Sequence, residues 1–269
     1  VLDIQDYAES TPEAPALLLP GREISYRTLH ELVGRFSAHL MRHGVEAGDL
    51  LGVTANNELT LVLIQLAIAR LGACVFSLPR SYTAFQRQEV ARRTGIRFLV
   101  TDDLSRFDAG VPAIEIDGDG LVNDRAFLDH APLVAYPEVP WLLVTGSGST
   151  GEPKLIPITH AQAGARSQRT ARLLGLEASD RVGCLSHFDF SHAKFRLLET
   201  LHVGAACALP VWNDADTLGA VRRLSLNVLF STVFHAERML AMLPDTAEGV
   251  LAGIKILEVT SSTVSDDLR

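Results

Sequence analysis

A chain of 269 residues, 47% hydrophobic and 21% charged, is long and apolar enough to bury one large core or two modest ones, which excludes a largely disordered polymer. Its formal charge of −8, with no lysine- or arginine-rich block, argues against nucleic acid as the main partner, because phosphate-backbone binding wants a basic face. A nucleotide is still allowed, since it needs only a few well-placed donors.

Helix and strand alternate along the chain. Ser25 is a candidate N-cap, followed at helical spacing by Leu29, Leu32, Val33, Phe36 and Leu40, with Gly44 in the place of a C-terminal cap. Leu50 to Thr54 reads as a strand, Glu58 to Leu71 as a helix stopped at Gly72, and Ala73 to Ser77 as a strand. A helix over Phe85 to Thr94, ended by Gly95, leads into a strand from Arg97 to Thr101. The apolar stretch Leu59 to Pro79 is broken by Gln65, Arg70 and Gly72, so it predicts a buried helix and strand in place of a membrane span.

Asp102 to Pro140 is irregular, with Asp117-Gly-Asp-Gly120 and four prolines, and predicts a seam between pieces of roughly 1–140 and 141–269. Beyond it, strands are expected from Trp141 and near 181–186, 205–209, 227–232 and 254–259. Helices are expected near 160–174, 192–203, 214–224 and 235–243. Strand–helix–strand units of this length imply an α/β fold of mostly parallel sheets flanked by helices. No internal repeat is read. Ser265-Asp-Asp267 reads as a helix start directly before Arg269, so the chain is expected to be a piece of something longer.

Cys74, Cys184 and Cys207 are far apart, show no metal-ligand spacing and read as small core residues. Their sparse, odd count fits a reducing cytoplasm. His187 and His192 lack a third ligand at metal spacing, so no metal site is expected.

One segment carries chemistry. Trp141 to Val144 is apolar, then come Thr145-Gly-Ser-Gly-Ser-Thr-Gly151 and Glu152-Pro-Lys154, and a second apolar run spans Leu155 to Ile158. Glycines let backbone N–H groups turn to one point, Ser147, Ser149 and Thr150 add hydroxyl donors, and Lys154 adds a positive charge. Such a loop suits a polyphosphate. Gly146-x-Gly148-x-x-Gly151 matches a dinucleotide fingerprint, but that motif opens a helix, whereas Pro153 and β-prone residues follow here. A Walker A loop needs lysine directly after its last glycine, and that position is Glu152. Kinase signatures are missing. A flexible Gly/Ser hairpin loop is the plain alternative.

Ser147-Gly-Ser-Thr-Gly-Glu-Pro-Lys154 resembles the signature of the adenylate-forming superfamily: acyl-CoA synthetases, aryl-acid ligases, luciferases and peptide-synthetase adenylation domains. Glu23 to Leu29, Gly44 to Asn57, Leu71-Gly-Ala73, Thr159-His160, Leu201 to Pro210 and Ile254 to Leu268 resemble further stretches of that family in the same order. The departures are Gly146 in place of Ser or Thr, Leu155-Ile156 in place of Gly-Val, and Ser261-Ser262 where glycines are common.

The resemblance implies that Ser147, Gly148, Ser149, Thr150, Gly151 and Lys154 wrap the phosphates of ATP, with Thr150 and Lys154 in catalytic roles and Mg2+ sharing the charge. A carboxylate attacks the α-phosphorus to give an acyl-AMP, which passes to coenzyme A or a carrier-protein phosphopantetheine. His187-Phe188-Asp189-Phe190-Ser191 resembles both the peptide-synthetase aspartate motif that pairs with a substrate amine and the acyl-pocket segment of acyl-CoA synthetases. His187, Phe188 and Asp189 are therefore candidate substrate residues, although the distance to Gly204 is slightly longer than either pattern expects. A solvated loop aspartate is the alternative for Asp189. The resemblance also implies that the adenine motif, the ribose aspartate, the hinge and the C-terminal lid lie outside this sequence. The 269 residues alone are thus expected to have little or no ligase activity. A non-catalytic nucleotide- or acyl-binding module is the competing expectation, and amino, aryl and fatty acids stay open as substrates.

Overall fold

The computed structural model describes residues 2–123, 136–146, 154–209, 217–241 and 252–260. Two compact units divide the chain: residues 1–2 with 30–166, and 3–29 with 167–269. These units do not coincide with the expected pieces of roughly 1–140 and 141–269. A strand does run through Trp141, from Pro140 to Gly146, but it hydrogen-bonds into the first unit's sheet, and the first strands of the chain belong to the second unit. Composition marks loops, whereas strand pairing decides which segments share a core.

The first unit holds a six-stranded sheet. Its strands are β3 (Leu50–Val53), β4 (Cys74–Ser77), β5 (Phe98–Thr101), β6 (Ala113–Glu115), β7 (Pro140–Gly146) and β8 (Lys154–Thr159), in the order β6-β5-β3-β4-β7-β8. All neighbours are parallel except the β7–β8 hairpin. The second unit holds β1 (Pro15–Leu19), β2 (Arg22–Ser25), β9 (Arg181–Cys184), β10 (Ala206–Ala208), β11 (Val228–Thr232) and β12 (Ile256–Thr260), in the order β12-β11-β9-β10-β1-β2. Here only β1–β2 is antiparallel. The helices are α1 (Leu2–Ser10), α2 (Tyr26–Arg42), α3 (Glu58–Arg70), α4 (Ala84–Thr94), α5 (Gly118–Asn123), α6 (His160–Leu174), α7 (Ser191–His202), α8 (Thr217–Arg223) and α9 (Val233–Ala241).

Helix ends follow local chemistry. Ser25 caps α2 by accepting from the Thr28 N–H at 3.3 Å. Thr83 with Gln86, and Thr159 with Gln162, form reciprocal capping boxes at the starts of α4 and α6. Helix α3 is buried from Leu59 to Arg70, as an all-round apolar helix must be. At 13 residues it is about 20 Å long, and among the described residues no helix is long and apolar enough to cross a membrane. Cys74, Cys184 and Cys207 are free and buried, as their isolated spacing suggests. Burial pushes the Cys74 and Cys184 thiols up to about 12, so they are inert packing residues.

The two sheets repeat one plan, a feature the sequence reading misses. Strands β3, β4, β5 and β6 follow one another through space as β9, β10, β11 and β12 do, and an antiparallel hairpin closes each sheet beyond β4 or β10. Gly44-Val-Glu-Ala-Gly-Asp-Leu-Leu-Gly-Val53 and Gly175-Leu-Glu-Ala-Ser-Asp-Arg-Val-Gly-Cys184 enter β3 and β9 in matching fashion. The Glu46 N–H donates to Asp49 Oδ2 at 2.8 Å, and the Glu177 N–H donates to Asp180 Oδ2 at 2.8 Å. Gly72 ends α3 and Gly204 follows α7, both at positive φ, and a tyrosine ring lies against each, Tyr136 and Tyr7 respectively. Only about ten residues preserve the likeness in sequence, which is too short to register as periodicity.

Candidate active site

In an open parallel sheet, ligands bind outside the carboxyl ends of the strands, where neighbouring strands send their connections in opposite directions. From β3 the chain moves to β4 on one side, and from its other neighbour, β5, it moves away to β6. The same reversal falls between β9 and β11. Each unit thus has one such point.

In the first unit the protein fills that point itself. The Asp102 carboxylate, directly after β5, accepts from the Asn56 N–H at 2.8 and 2.9 Å and from the Asn57 N–H at 2.9 Å, at the start of α3. The positive end of a helix favours such an anion. Arg106 donates to Asn56 Oδ1, and Arg80 pairs with Glu58.

The phosphate-loop candidates lie elsewhere in the same unit. Ser147, Gly148, Ser149, Thr150 and Gly151 fall outside the described residues. Their flanks are described: β7 and β8 pair in register down to Gly146 opposite Lys154, which closes the segment 147–153 as a hairpin connection. A strand follows the glycine segment, as Pro153 and the β-prone run predict, and the helix demanded by dinucleotide and Walker loops is not there. Lys154 is exposed at the mouth of this hairpin. Two of the departures from the family pattern turn out to be one. A Cβ built on Gly146 would meet Ile156 Cδ1 at 2.9 Å, so the isoleucine tip occupies the space that a Ser or Thr side chain would need. After the hairpin, the His160 N–H donates to Val139 O and the Ala161 N–H to Pro137 O. The His160 ring is largely enclosed, its Nε2 is buried without a hydrogen-bond partner among the described residues, and burial lowers its pKa to about 4.

The substrate candidates belong to the second unit and follow β9. His187 is exposed, whereas Phe188 and Asp189 are turned in, 2% and 8% exposed. A tight turn, Phe190 N–H to His187 O at 3.1 Å, delivers the chain into α7. That helix starts without a capping side chain and without an acidic residue in its first turn. Instead Lys194, 1% exposed, reaches back and donates from Nζ to Phe188 O and Asp189 O, both at 2.7 Å. Further along, Arg196 pairs with Glu199 at 2.6 Å and with Glu258 of β12 at 3.4 Å, and stacks over the Phe230 ring of β11 at 4.6 Å.

Across the switch point, β11 ends at Thr232, whose hydroxyl accepts from the His235 N–H at 3.3 Å and lies 2.9 Å from His235 Nδ1. Burial, and then the nearby His187, lower the His235 pKa and keep its ring neutral at pH 7. Phe234 packs edge-on to that ring at 5.3 Å. Sequence reasoning misses Lys194, Thr232 and His235. A threonine ending an apolar strand three residues before a histidine is a legible capping signal, but nothing in sequence ties it to His187. Lys154 and the His187–Asp189 segment each take a place within their own unit.

Comparison with known proteins agrees with this architecture. The AMP-binding enzyme family matches residues 4–268. A probable non-canonical nonribosomal peptide synthetase, CymA of Salinispora arenicola, is 26% identical over 266 residues, 97% of this chain but 3% of that protein. The N-terminal subdomain of Klebsiella oxytoca NpsA, in complex with 3-hydroxyanthranilyl-AMSN, superimposes with a TM-score of 0.85 at 20% identity, covering 99% of this chain and 67% of that one. The O-succinylbenzoate coenzyme A synthetase MenE of Bacillus subtilis, in complex with AMP, gives 0.81 at 20% identity, over 96% and 67%. At that identity the two structural likenesses establish the fold, and the match along nearly the whole chain places the protein in the AMP-binding enzyme family.

Proposed function

We propose that the protein of which this chain is part activates a carboxylic acid with ATP, forming an acyl-adenylate, and then passes the acyl group to coenzyme A or a carrier-protein thiol. The observation that carries this reading is the family match over residues 4–268, which includes a glycine- and hydroxyl-rich segment held between two strands with Lys154 at its closing pair. The ligands named for NpsA and MenE are in keeping with it, and the peptide-synthetase relative points to a carrier-protein acceptor.

In this reading Ser147 to Gly151 and Lys154 hold the leaving pyrophosphate, through backbone amides, hydroxyls and one ammonium. Their contribution is electrostatic: donors already aimed where charge develops as the α-phosphorus is attacked. Lys154 suits this role because it sits exposed on a strand end, where a flexible cation can follow a polyphosphate. His187, Phe188 and Asp189 form the acyl side. Asp189 would offset its own desolvation by pairing with a cationic substrate amine. Among the described residues no group of three or more His, Cys, Asp or Glu side chains is arranged to hold a metal. In this reading Mg2+ would share the charge on the nucleotide's phosphates.

The decisive experiment is acid-dependent ATP–pyrophosphate exchange by the full-length gene product, with the 269-residue piece beside it, across amino, aryl and fatty acids. Exchange with one acid class is the expected result, and it names the substrate; the piece alone should be silent. No exchange with any acid would make the non-catalytic binding module the better reading.

A further inference from the structure

The fold explains a buried lysine poorly and a buried aliphatic well. Lys194 lies in the opening turns of α7, where the helix dipole disfavours a cation, and its side chain is 1% exposed, where an ammonium is costly unless it is fully engaged. The internal repeat supplies a direct comparison. Counted from the strand, the place of Lys194 is taken in α3 by Leu63; counted from the glycine after the helix, by Val62. Both are fully buried. This position in the repeated plan is therefore satisfied by an aliphatic side chain, and the second unit departs from it.

What the ammonium does there is visible. Nζ donates to the carbonyls of Phe188 and Asp189, at 2.7 Å each, the two inward-turned residues of the candidate substrate segment. The first unit needs no such clamp, because there Asn57 caps the helix and the Asp102 carboxylate holds the preceding amides. In the second unit Phe190 stands at the cap with no side-chain bond. The segment 187–190 is thus held at its Phe188 and Asp189 carbonyls by a residue that follows it on the helix.

We propose that Lys194 is a positioning residue for acid recognition: it locks the Phe188–Asp189 backbone so that Asp189 meets the substrate in one orientation. The proposal rests on the adenylation reading for its kinetic test and on geometry alone for its structural one. In the full-length protein, Lys194→Met is expected to raise the KM for the acid at least about tenfold, the cost of losing charge-assisted bonds to a recognition loop. The KM for ATP should stay within about twofold. A lysine that only supported folding would lower the melting temperature and leave the acid KM unchanged, and that result would overturn the proposal. So would failure of both Lys194→Met and Lys194→Leu to fold, since the repeat predicts that an aliphatic fits. Hydrogen exchange on the same variants separates this idea from the adenylation reading. Faster amide exchange confined to 187–190 supports the clamp even if the wild-type protein activates no acid, and unchanged exchange there rejects it.

Discussion

Lys154 opens β8 and His160 directly follows it as the first residue of α6, and the pair illustrates how differently two basic side chains can be used. Lys154 is exposed, so its removal should leave folding intact and cost only what it contributes to pyrophosphate stabilisation. Lys154→Ala in the full-length protein is expected to lose about 1.5–3 kcal/mol of charge-assisted bonding, or one to two decades of exchange rate. Unchanged turnover would remove the lysine from the mechanism. His160 is enclosed, and the fold holds its ring neutral down to about pH 4, whereas an unfolded histidine titrates near 6.5. The unfolded chain therefore binds more protons between those values. Stability is complete above about pH 6.5, declines as pH falls through that window, and levels off from this source below pH 4. Asp103 and Asp108, whose carboxyls hydrogen bonding holds below the usual range, add a separate loss in stronger acid. Urea midpoints should show a smaller drop from pH 7.5 to pH 4.5 in His160→Asn than in the wild type. An identical drop would mean that another group is responsible.

At the scale of elements, the helix-ending glycines carry unequal burdens. Gly175 follows α6 at φ +63° with nothing within 4 Å of a built Cβ, so alanine there meets only the backbone penalty, about 1–2 kcal/mol. Gly204 follows α7 at φ +78°, and its Cβ would come within 2.6 Å of the Tyr7 ring. Tyr7 cannot withdraw freely, because its ring packs 5.1 Å from that of Tyr26 and its hydroxyl donates to His202 O. Gly204→Ala should therefore cost about 2–4 kcal/mol, strain and overpacking together. Denaturant unfolding of the two variants compares them, and equal losses would show that the ring yields.

Elements with strong local punctuation are the ones the sequence makes legible. Gly72 and Gly95 end their helices where expected, Ser25 caps where expected, and the Lys154–Thr159 strand follows Pro153 as the β-prone residues demand. The missed elements have weak local signals. Leu2–Ser10 carries no cap box, and Pro15–Leu19 is a short apolar run, fixed as a strand by its partner β10, almost two hundred residues away. Lys194 escapes notice for the same reason: in sequence it is one cation on a mixed helix, and only the turn at 187–190 shows what its ammonium reaches.

Across the whole molecule, the fold class follows from the alternation of elements, but the unit boundaries do not. Residues 3–29 join the second unit because β1 pairs with β10, a long-range choice that local composition does not encode. The candidate site is likewise legible in part. Its residue types are read from motif and resemblance, whereas the neighbourhood of His187 with Thr232 and His235 comes from the parallel pairing of β9 with β11. The repeated plan then shows where the two units have parted. One helix opening is sealed by Asn57 and Asp102, and the other is served by Lys194.

The Asp102 carboxylate has a further meaning in terms of mass action. It is tied to β5, so at the Asn56 and Asn57 amides its effective concentration is that of an intramolecular partner, which no free anion at cellular levels matches. The start of α3 is in effect saturated at all times. Its order does not rise and fall with nucleotide or acid supply, and no binding free energy is drawn off there from a substrate on its way elsewhere. The first unit thus keeps the start of α3 anchored whether or not the β7–β8 hairpin holds a ligand.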